Sequence, residues 1–427
     1  MNPAPPARRT RARYIVFAFG VTVSMITYLD RVCIAAAAPG MMADLGLTTM
    51  QMGYAFSAFA LAYGIFEAPM GWLSDTFGQR QVLTRIVACW SVFTALTGAV
   101  SGLWTLLGVR FVFGAAEAGA FPTLARALSR WFPARSRAAI NGAMWMGARF
   151  GGAVAPAIAA WLIGRTGWRW AFAVFGSLGL FWCAAFWNWF RDDPATHPGV
   201  NRAELDHIQD GSQPRPGNAG TPWRALLTSG NAWALFGMYF SASFGFYFLV
   251  TWLPSFLIRE HGLSLQTSGF YAVLPLGAAS AACVTGGWLA DRLSQKTGSV
   301  RRGRAAVGVA GFVLGSAGFA AASAATGPLA AVLCLAGAQA ALDLTVGVSW
   351  ATCVDVGGRF GSTLAGFMNT ASSLAAVLLP LVAAAVESRS GSFRSVFAIA
   401  ACLYLAGAFL WLRIDPSHRL EDQIHAS

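Results

Sequence analysis

The sequence has little charge and almost no lysine. Only 11% of its 427 residues are charged and 56% are hydrophobic, whereas soluble globular chains average about 25% charged residues. Lys296 is the only lysine among 30 basic residues. A chain with so few charges does not have the surface of a soluble protein, so the composition indicates an integral membrane protein.

Histidine and clustered cysteine are also scarce, which bears on metal and catalytic chemistry. The five histidines fall in loops or the C-terminal tail, and the seven cysteines are scattered through different apolar runs without metal or redox spacing. An enzyme acting in the bilayer needs a nucleophile beside a base, or a metal cluster. The sequence therefore predicts no metal, no cofactor and no enzymatic activity.

Long apolar runs fill most of the chain. A transmembrane helix needs about 20 apolar residues, and backbone groups in a bilayer must be satisfied by helical hydrogen bonds. The sequence therefore predicts an all-α integral membrane protein with twelve transmembrane helices. Their approximate positions are 14–38, 50–73, 81–101, 103–128, 137–163, 169–190, 231–257, 265–290, 303–325, 328–354, 361–387 and 393–413.

The net charge of +12 follows the predicted loops. With the N-terminus inside, most basic residues fall in cytoplasmic segments, and the outer segments hold only Arg165, Arg169, Arg259, Arg389 and Arg394. This asymmetry obeys the positive-inside rule and predicts that both termini are cytoplasmic. Because no basic stripe coincides with a soluble fold, no nucleic-acid partner is expected. The preference for arginine over lysine indicates a GC-rich bacterial genome, and so a multi-pass protein of the bacterial inner membrane.

A polar stretch rich in Pro and Gly divides the chain into two halves. The predicted domains are an N-terminal six-helix bundle at 1–190, a cytoplasmic loop at 191–230, and a C-terminal six-helix bundle with a short tail at 231–427. A short repeat supports this division: Gly-Trp-Leu-Ser-Asp at 71–75 and Gly-Trp-Leu-Ala-Asp at 287–291 follow equivalent helices. Transporters built from two parallel six-helix repeats bind substrate near the midplane between them.

The first copy of the repeat continues through Gly78 to Arg80. This segment resembles the cytoplasmic loop motif between helices 2 and 3 of the major facilitator superfamily. Its glycines allow close helix approach and a tight turn, and Asp75 can accept from the N-terminal backbone of a neighbouring helix or pair with an arginine. In the family this motif locks the outward-facing state. Thr76 and Gln79 replace residues that are usually basic there, so a weaker latch is expected.

Four ionisable residues interrupt two of the predicted membrane helices. Asp30 and Arg31 are adjacent in the first helix, and Arg110 and Glu117 lie seven residues apart in the fourth. An ionisable residue in the bilayer centre costs roughly 2.5–3.5 kcal/mol on insertion scales, so lipid-facing copies are rare. Seven residues make nearly two turns, which places Arg110 and Glu117 on one helix face. We expect a polar cavity, and two guanidinium groups at similar depth favour an anionic ligand.

These four residues narrow the resemblance to the anion:cation symporter branch of the superfamily, whose members take up sugar acids and other organic anions with protons. The similarity continues in Thr-Trp-Leu-Pro at 251–254 and across 350–369. It implies that Arg31 and Arg110 bind the substrate carboxylate, while Asp30 and Glu117 are protonation sites. The alternative is a set of structural ion pairs that hold helices 1 and 4 together, and both uses can coexist.

Further candidates lie on other predicted helices. Tyr63 and Tyr247 can offer hydroxyl groups to a polyol or can be core aromatics, and Asn369 can contact substrate or make an interhelical hydrogen bond. Arg149 adds a third cation in the membrane. It would either contact a second acidic group of the substrate or form an ion pair with Glu117, and the ion pair is favoured. If it forms, Asp30 carries more of the proton coupling.

The remaining predicted functional residues are acidic residues and their partners. Asp343 is a candidate proton site or a partner of Arg149 or Arg110. Asp355 and Arg359 are expected to form a gating pair that mirrors Asp75 and Arg80. The sequence thus predicts a monomeric secondary transporter that imports a small organic anion, such as a sugar acid, with protons. The alternatives are a multidrug/proton antiporter and an uncoupled organic-anion exchanger.

Overall fold

The computed structural model describes residues 9–210, 223–263, 265–390 and 392–420. In these residues the chain forms α-helices and three short 3-10 helices but no strand, as the apolar runs predict. The α-helices are α1 (Ala12–Leu45), α2 (Thr49–Phe77), α3 (Gln79–Thr97), α4 (Leu103–Glu117), α5 (Ala120–Trp131), α6 (Arg137–Thr166), α7 (Trp168–Trp189), α8 (Arg202–Gln209), α9 (Trp223–Thr228), α10 (Gly230–Thr251), α11 (Leu253–His261), α12 (Leu265–Thr297), α13 (Val300–Ala324), α14 (Pro328–Asp343), α15 (Val346–Gly357), α16 (Gly361–Ser390) and α17 (Arg394–Arg413).

Nine helical segments of the described residues are long and apolar enough to cross a membrane. One of them, Pro328–Glu387, has 60 residues, which is far more than the roughly 20 that one crossing requires. It contains α14, α15 and α16. The helices α2 and α3 are not among the nine. The predicted count of twelve membrane helices therefore stays a prediction.

Two long helices are interrupted at equivalent places in the two halves of the chain. Glu117 ends α4 and Ala120 begins α5, while Asp343 ends α14 and Val346 begins α15. Each break places a carboxylate at the end of a helix inside the bundle. Both carboxylates are fully buried, so each must be compensated by a partner.

The two halves pack together through a few helix pairs. Helix α2 packs against α16, and α6 packs against α12 and α15. The approach is closest at the repeated glycines: a methyl group on Gly71 would overlap the backbone of Ser362, and one on Gly287 would overlap the backbone of Ala138. We call the end of the bundle that carries these contacts, together with Asp75 and Asp291, the latch end.

The segment that connects the halves is partly helical. Helix α8 lies beside the start of α1, where Glu204 accepts hydrogen bonds from the Thr10 hydroxyl at 2.5 Å and from Arg13 at 3.1 Å. These contacts tie the N-terminus to the connecting segment. Residues 211–222, which contain the prolines used to predict a loop, lie outside the described residues.

Candidate functional site

A cavity of about 60 Å³ lies between the two halves of the bundle. Its wall contains six of the residues predicted from the sequence, namely Arg31, Tyr63, Arg149, Tyr247, Asp343 and Asn369. Serine hydroxyls and one glutamine amide complete a largely polar surface. A buried space of this polarity suits a hydrophilic solute, because each of its polar groups needs a hydrogen-bonding partner.

Arg31 lies on α1 and pairs with Glu117 at the end of α4. Its Nε donates to both carboxylate oxygens of Glu117 at 3.1 Å, and its guanidinium lies 4.4 Å from the ring centroid of Tyr63. The buried Nη2 has no hydrogen-bond partner among the described residues. Glu117 therefore fixes the Nε of Arg31, while the Nη2 donor of the same guanidinium is left without a partner in the described part of the chain.

Asp30 and Arg110 lie in the same buried region but not on the cavity wall. Both carboxylate oxygens of Asp30 and the Nε of Arg110 lack a hydrogen-bond partner within the described part of the chain. The guanidinium groups of Arg31 and Arg110 lie 5.4 Å and 5.0 Å from the ring centroid of Phe59. The structure thus does not bring Arg31 and Arg110 together as two groups facing one cavity, because Arg110 is buried against Phe59 and Phe113.

Arg149 pairs with Asp343, and this corrects the favoured sequence-based pairing with Glu117. The Arg149 Nη2 donates to Asp343 Oδ1 at 2.9 Å, and Gln339 Nε2 donates to Asp343 Oδ2 at 2.6 Å. Glu117 already accepts from Arg31. Because Arg149 belongs to α6 and Asp343 to α14, this ion pair joins the two halves across the cavity.

Asn369 also joins the halves. Its amide donates to the fully buried Glu67 of α2 and lies 3.5 Å from the Tyr63 hydroxyl. Ser373 donates to the other oxygen of Glu67 at 3.3 Å. The interhelical alternative for Asn369 is therefore present, and Asn369 still lines the cavity. Tyr247 faces the same space from α10.

Asp75 docks onto the N-terminus of α16 at the latch end. Its carboxylate accepts from the backbone N–H of Ser362 at 3.2 Å, and from the backbone N–H and hydroxyl of Thr363 at 2.7 and 2.8 Å. Arg126 lies 3.9 Å away. A carboxylate at a helix N-terminus satisfies free N–H groups and interacts favourably with the helix dipole. The first alternative for Asp75, a helix N-terminus, is therefore present, and the nearby arginine is Arg126.

The second copy of the repeat docks in the same way. Asp291 accepts from the backbone N–H of Ala139 at 2.8 Å and of Ala138 at 3.4 Å, at the N-terminus of α6. The sequence of this copy departs from the motif after Asp291, yet the contact is retained. Two equivalent carboxylates thus each hold one half of the bundle to the other.

Both predicted gating pairs are corrected by the structure. Asp355 forms ion pairs with Arg137 at 2.6 Å and with Arg304 at 2.5 Å, rather than with Arg359. Arg359 lies 4.7 Å from the ring centroid of Phe360. Arg80 donates to the backbone carbonyl of Trp187 at 3.0 Å, rather than to Asp75. The sequence placed these residues at the correct helix ends but did not reveal which elements face one another.

Several cavity residues were not identified from the sequence. Tyr28, Trp145, Tyr239 and Gln339 line the wall, and Tyr239 accepts a hydrogen bond from Trp350 Nε1 at 3.0 Å. In a chain that is 13% aromatic, an aromatic residue on a membrane helix carries no signal of its own. Gln339 could have been identified from the sequence, because an amide one turn before Asp343 lies on the same helix face.

Comparison with known proteins agrees with this architecture. The sequence profile of the Major Facilitator Superfamily matches residues 20–380. A probable sulfoacetate transporter of Cupriavidus necator is 35% identical over 412 residues, which cover 96% of this chain and 95% of that protein. A D-galactonate transporter of Escherichia coli is 34% identical over 307 residues, which cover 69% of this chain and 70% of that protein. Both relatives are named as transporters, not as enzymes.

A solved structure shares the fold. The proton:xylose symporter XylE, bound to 6-bromo-6-deoxy-D-glucose, superposes with a TM-score of 0.75 at 14% sequence identity, over 97% of this chain and 98% of that one. The resemblance first seen in the loop at 71–80 and in the charged residues of α1 and α4 is therefore confirmed at the level of the family. This chain belongs to the major facilitator superfamily.

Proposed function

We propose that this protein is a secondary transporter that imports a small organic anion together with protons by alternating access. The observation that carries the proposal is Arg31, which lies on the cavity wall with an unused buried donor while Glu117 holds its Nε. A guanidinium with free donors in a polar cavity suits a carboxylate or sulfonate. The relatives named for sulfoacetate and D-galactonate support an organic anion.

Proton coupling follows from the electrostatics of the same cluster. An anion bound to Arg31 competes with Glu117 for the positive charge, so Glu117 takes up a proton more readily when substrate is present. Asp30 lies in the same buried cluster and is the second proposed proton site. Arg110 is placed behind the cavity wall, where it offsets the charges of Asp30 and Glu117. Substrate and proton then bind cooperatively.

The proposed topology has twelve membrane helices, with both termini and the latch end in the cytoplasm of a bacterial cell. The placement of arginine supports this orientation. The segment Pro328–Glu387 has 60 residues, which is long enough for two crossings. The two domains are 1–190 and 231–427, joined by 191–230. Because residues of one chain line both sides of the cavity, the transporter acts as a monomer. With the halves joined at the latch end, the cavity is shut off from the cytoplasm.

Uptake into proteoliposomes tests this function. Purified protein is given labelled hexonates, hexuronates, dicarboxylates and aromatic acids, with and without an inward proton gradient. We expect gradient-driven accumulation of one class, and a reduction of at least tenfold in Arg31→Ala. Arg165→Ala, which removes an exposed arginine at the end of α6, is the matched control and should transport normally.

Two other results would point to different functions. Accumulation that does not respond to the proton gradient, together with anion exchange, would indicate an uncoupled exchanger. Movement of cationic drugs, unchanged in Arg31→Ala, would indicate multidrug efflux. The cavity arginines make efflux of lipophilic cations the less favoured alternative, because a second positive charge in the site repels them.

A further inference from the structure

Two guanidinium groups lie on the wall of one cavity, and each is only partly used. Arg31 makes its ion pair through Nε, and Arg149 makes its ion pair through Nη2. The buried Nη2 of Arg31 and the buried Nε of Arg149 have no hydrogen-bond partner among the described residues. Since a guanidinium has five donors, neither ion pair uses all the donors of its arginine.

A stacked aromatic pair adjoins both arginines. The rings of Phe121 and Trp145 are 4.6 Å apart and nearly parallel. The Arg31 guanidinium lies 5.9 Å from the centroid of Phe121, and the Arg149 guanidinium lies 5.8 Å from that of Trp145. The two arginines therefore contact different rings of the pair, while both line the same cavity. A ligand with an anionic group at each end can place one group on each arginine.

Asp343 already occupies the position that such a second anionic group would take. It is fully buried, lines the cavity, and is held by Arg149 and Gln339. Breaking a buried ion pair by removing one partner is costly because it leaves the other charge uncompensated. A ligand that brings its own anionic group to Arg149 keeps that cation compensated, and Asp343 keeps the hydrogen bond from Gln339. A monoanion bound at Arg31 leaves the Arg149–Asp343 pair intact.

The size of the cavity limits the length of the ligand. The cavity volume is about 60 Å³, and a cavity needs at least about 10–15 Å³ to hold a single water molecule. That space suits a short carbon chain better than a six-carbon polyol. The ligand therefore needs two charges on a compact skeleton.

We propose that the substrate is a compact organic dianion, with one anionic group on Arg31 and the other on Arg149 in place of Asp343. This inference rests on the proposed function and narrows its substrate class to short dicarboxylates and sulfocarboxylates. Arg149 is then a specificity-determining residue, and Asp343 is an internal competitor for it. Because the Arg149–Asp343 pair joins the two halves, a bound dianion also replaces a contact between them.

Matched ligands that differ by one charge test the proposal. Proteoliposomes containing the full chain are given labelled sulfoacetate or malonate, and uptake is competed with the corresponding monoamides, sulfoacetamide and malonamate. These amides keep the size and lose one charge. For the wild-type protein we expect each dianion to compete at least tenfold more strongly than its monoamide.

Variants of Arg149 and Asp343 test whether this pair causes the preference for dianions over monoamides. Arg149→Gln should reduce the preference for dianions to less than threefold, and Arg149→Lys should retain part of it. Asp343→Asn removes the internal competitor and should strengthen dianion binding, measured as ligand-induced thermal stabilisation of the detergent-solubilised protein. Arg165→Gln on the same helix is the control for loss of an arginine.

The outcomes separate this inference from the function on which it depends. Wild-type protein that accumulates monoanions as well as dianions would overturn the dianion proposal and leave organic-anion transport intact. Dianion preference that survives in Arg149→Gln would overturn the role of Arg149. No accumulation of any organic anion by wild-type protein would overturn the proposed function itself. If Arg149→Gln does not fold, the wild-type charge preference and the Asp343→Asn binding shift decide the question.

Discussion

Glu117 and Asp343 occupy equivalent positions in the two halves of the molecule, and each forms an ion pair with an arginine of another helix. Glu117 ends α4 and pairs with Arg31 of α1, while Asp343 ends α14 and pairs with Arg149 of α6. The first pair lies within one half of the chain and the second pair crosses between halves. Of these two pairs, only the second would have to open in the proposed alternating-access transport.

The charge on Glu117 is predicted to couple proton movement to substrate movement. Glu117→Gln should abolish accumulation driven by an inward proton gradient, because the amide cannot take up a proton, and should leave exchange of internal for external substrate within about threefold of wild type. Uptake and counterflow in proteoliposomes measure the two activities separately. Glu387→Gln, which alters an ion pair with Arg259 outside the cavity, is the matched carboxylate-to-amide control and should retain both.

Close packing at Gly71 is predicted to set the equilibrium between the two conformations. A methyl group there would overlap the backbone of Ser362, so Gly71→Ala should separate α2 from α16 and open the latch end. Spin labels at Thr76→Cys and Arg292→Cys, in a cysteine-free background, should report a longer distance between the halves. Gly53→Ala is the control on the same helix, because a methyl group on Gly53 meets no atom within 4 Å. An unchanged distance in Gly71→Ala would contradict this role.

The sequence predicted the fold and the charged residues better than it predicted their partners. Apolar runs depend only on the local sequence, so the all-helical fold could be deduced, while the orientation drawn from the positive-inside asymmetry stays a prediction. The division into two related halves, predicted from the repeat at 71–75 and 287–291, stays a prediction. The sequence offered the pairing of Arg149 with Asp343 only as one alternative and could not select it, because these residues are separated by 194 positions and meet only when α6 packs near α14.

The same limit explains why the ion pair between the gating residues Asp355 and Arg359 was predicted wrongly. Asp355 and Arg359 are four positions apart near the end of α15, a spacing that favours a local pair on one helix. The structure ends α15 at Gly357, however, and Gly358 has a positive φ of 57°. The chain turns there, which takes Arg359 off the face of α15 that carries Asp355 and leaves Asp355 to Arg137 and Arg304. A glycine-induced turn thus changed the pairing that spacing alone predicted.

The two docking carboxylates at the latch end are predicted to act in parallel. Asp75→Asn weakens three hydrogen bonds and Asp291→Asn weakens two, and hydrogen bonds to charged groups contribute about 1.5–3 kcal/mol each in favourable sites. Each substitution should shift the equilibrium toward the form with an open latch end by roughly tenfold or more, and the double variant should shift it further. The spin-label distance distribution between Thr76→Cys and Arg292→Cys measures the two populations. A double variant no more open than Asp75→Asn alone would mean that the second copy of the repeat does not contribute.

His197 is predicted to make the segment after α7 sensitive to acid. Its Nδ1 accepts from the backbone N–H of Gly199 at 3.0 Å, and its Nε2 lies 3.1 Å from the carbonyl oxygen of Trp189. Burial lowers the pKa of His197 below its usual value, partly offset by the hydrogen bond to Trp189. A lowered pKa means that the neutral ring stabilises the fold above the unfolded-state pKa of about 6.5, and that this contribution is lost as the pH falls through the folded-state pKa.

Hydrogen exchange at single amides measures this loss. The Gly199 amide should be protected at pH 7.5 and should exchange faster at pH 5 than intrinsic rates predict, because a protonated Nδ1 can no longer accept its hydrogen bond. The Glu204 amide, which donates to Asn201 Oδ1 at 2.9 Å, is the internal control, since its acceptor does not titrate in this range. His197→Gln should remove the pH-dependent part of the exchange at Gly199. Equal corrected protection at both pH values would mean that the ring stays neutral or that Gly199 is protected by another contact.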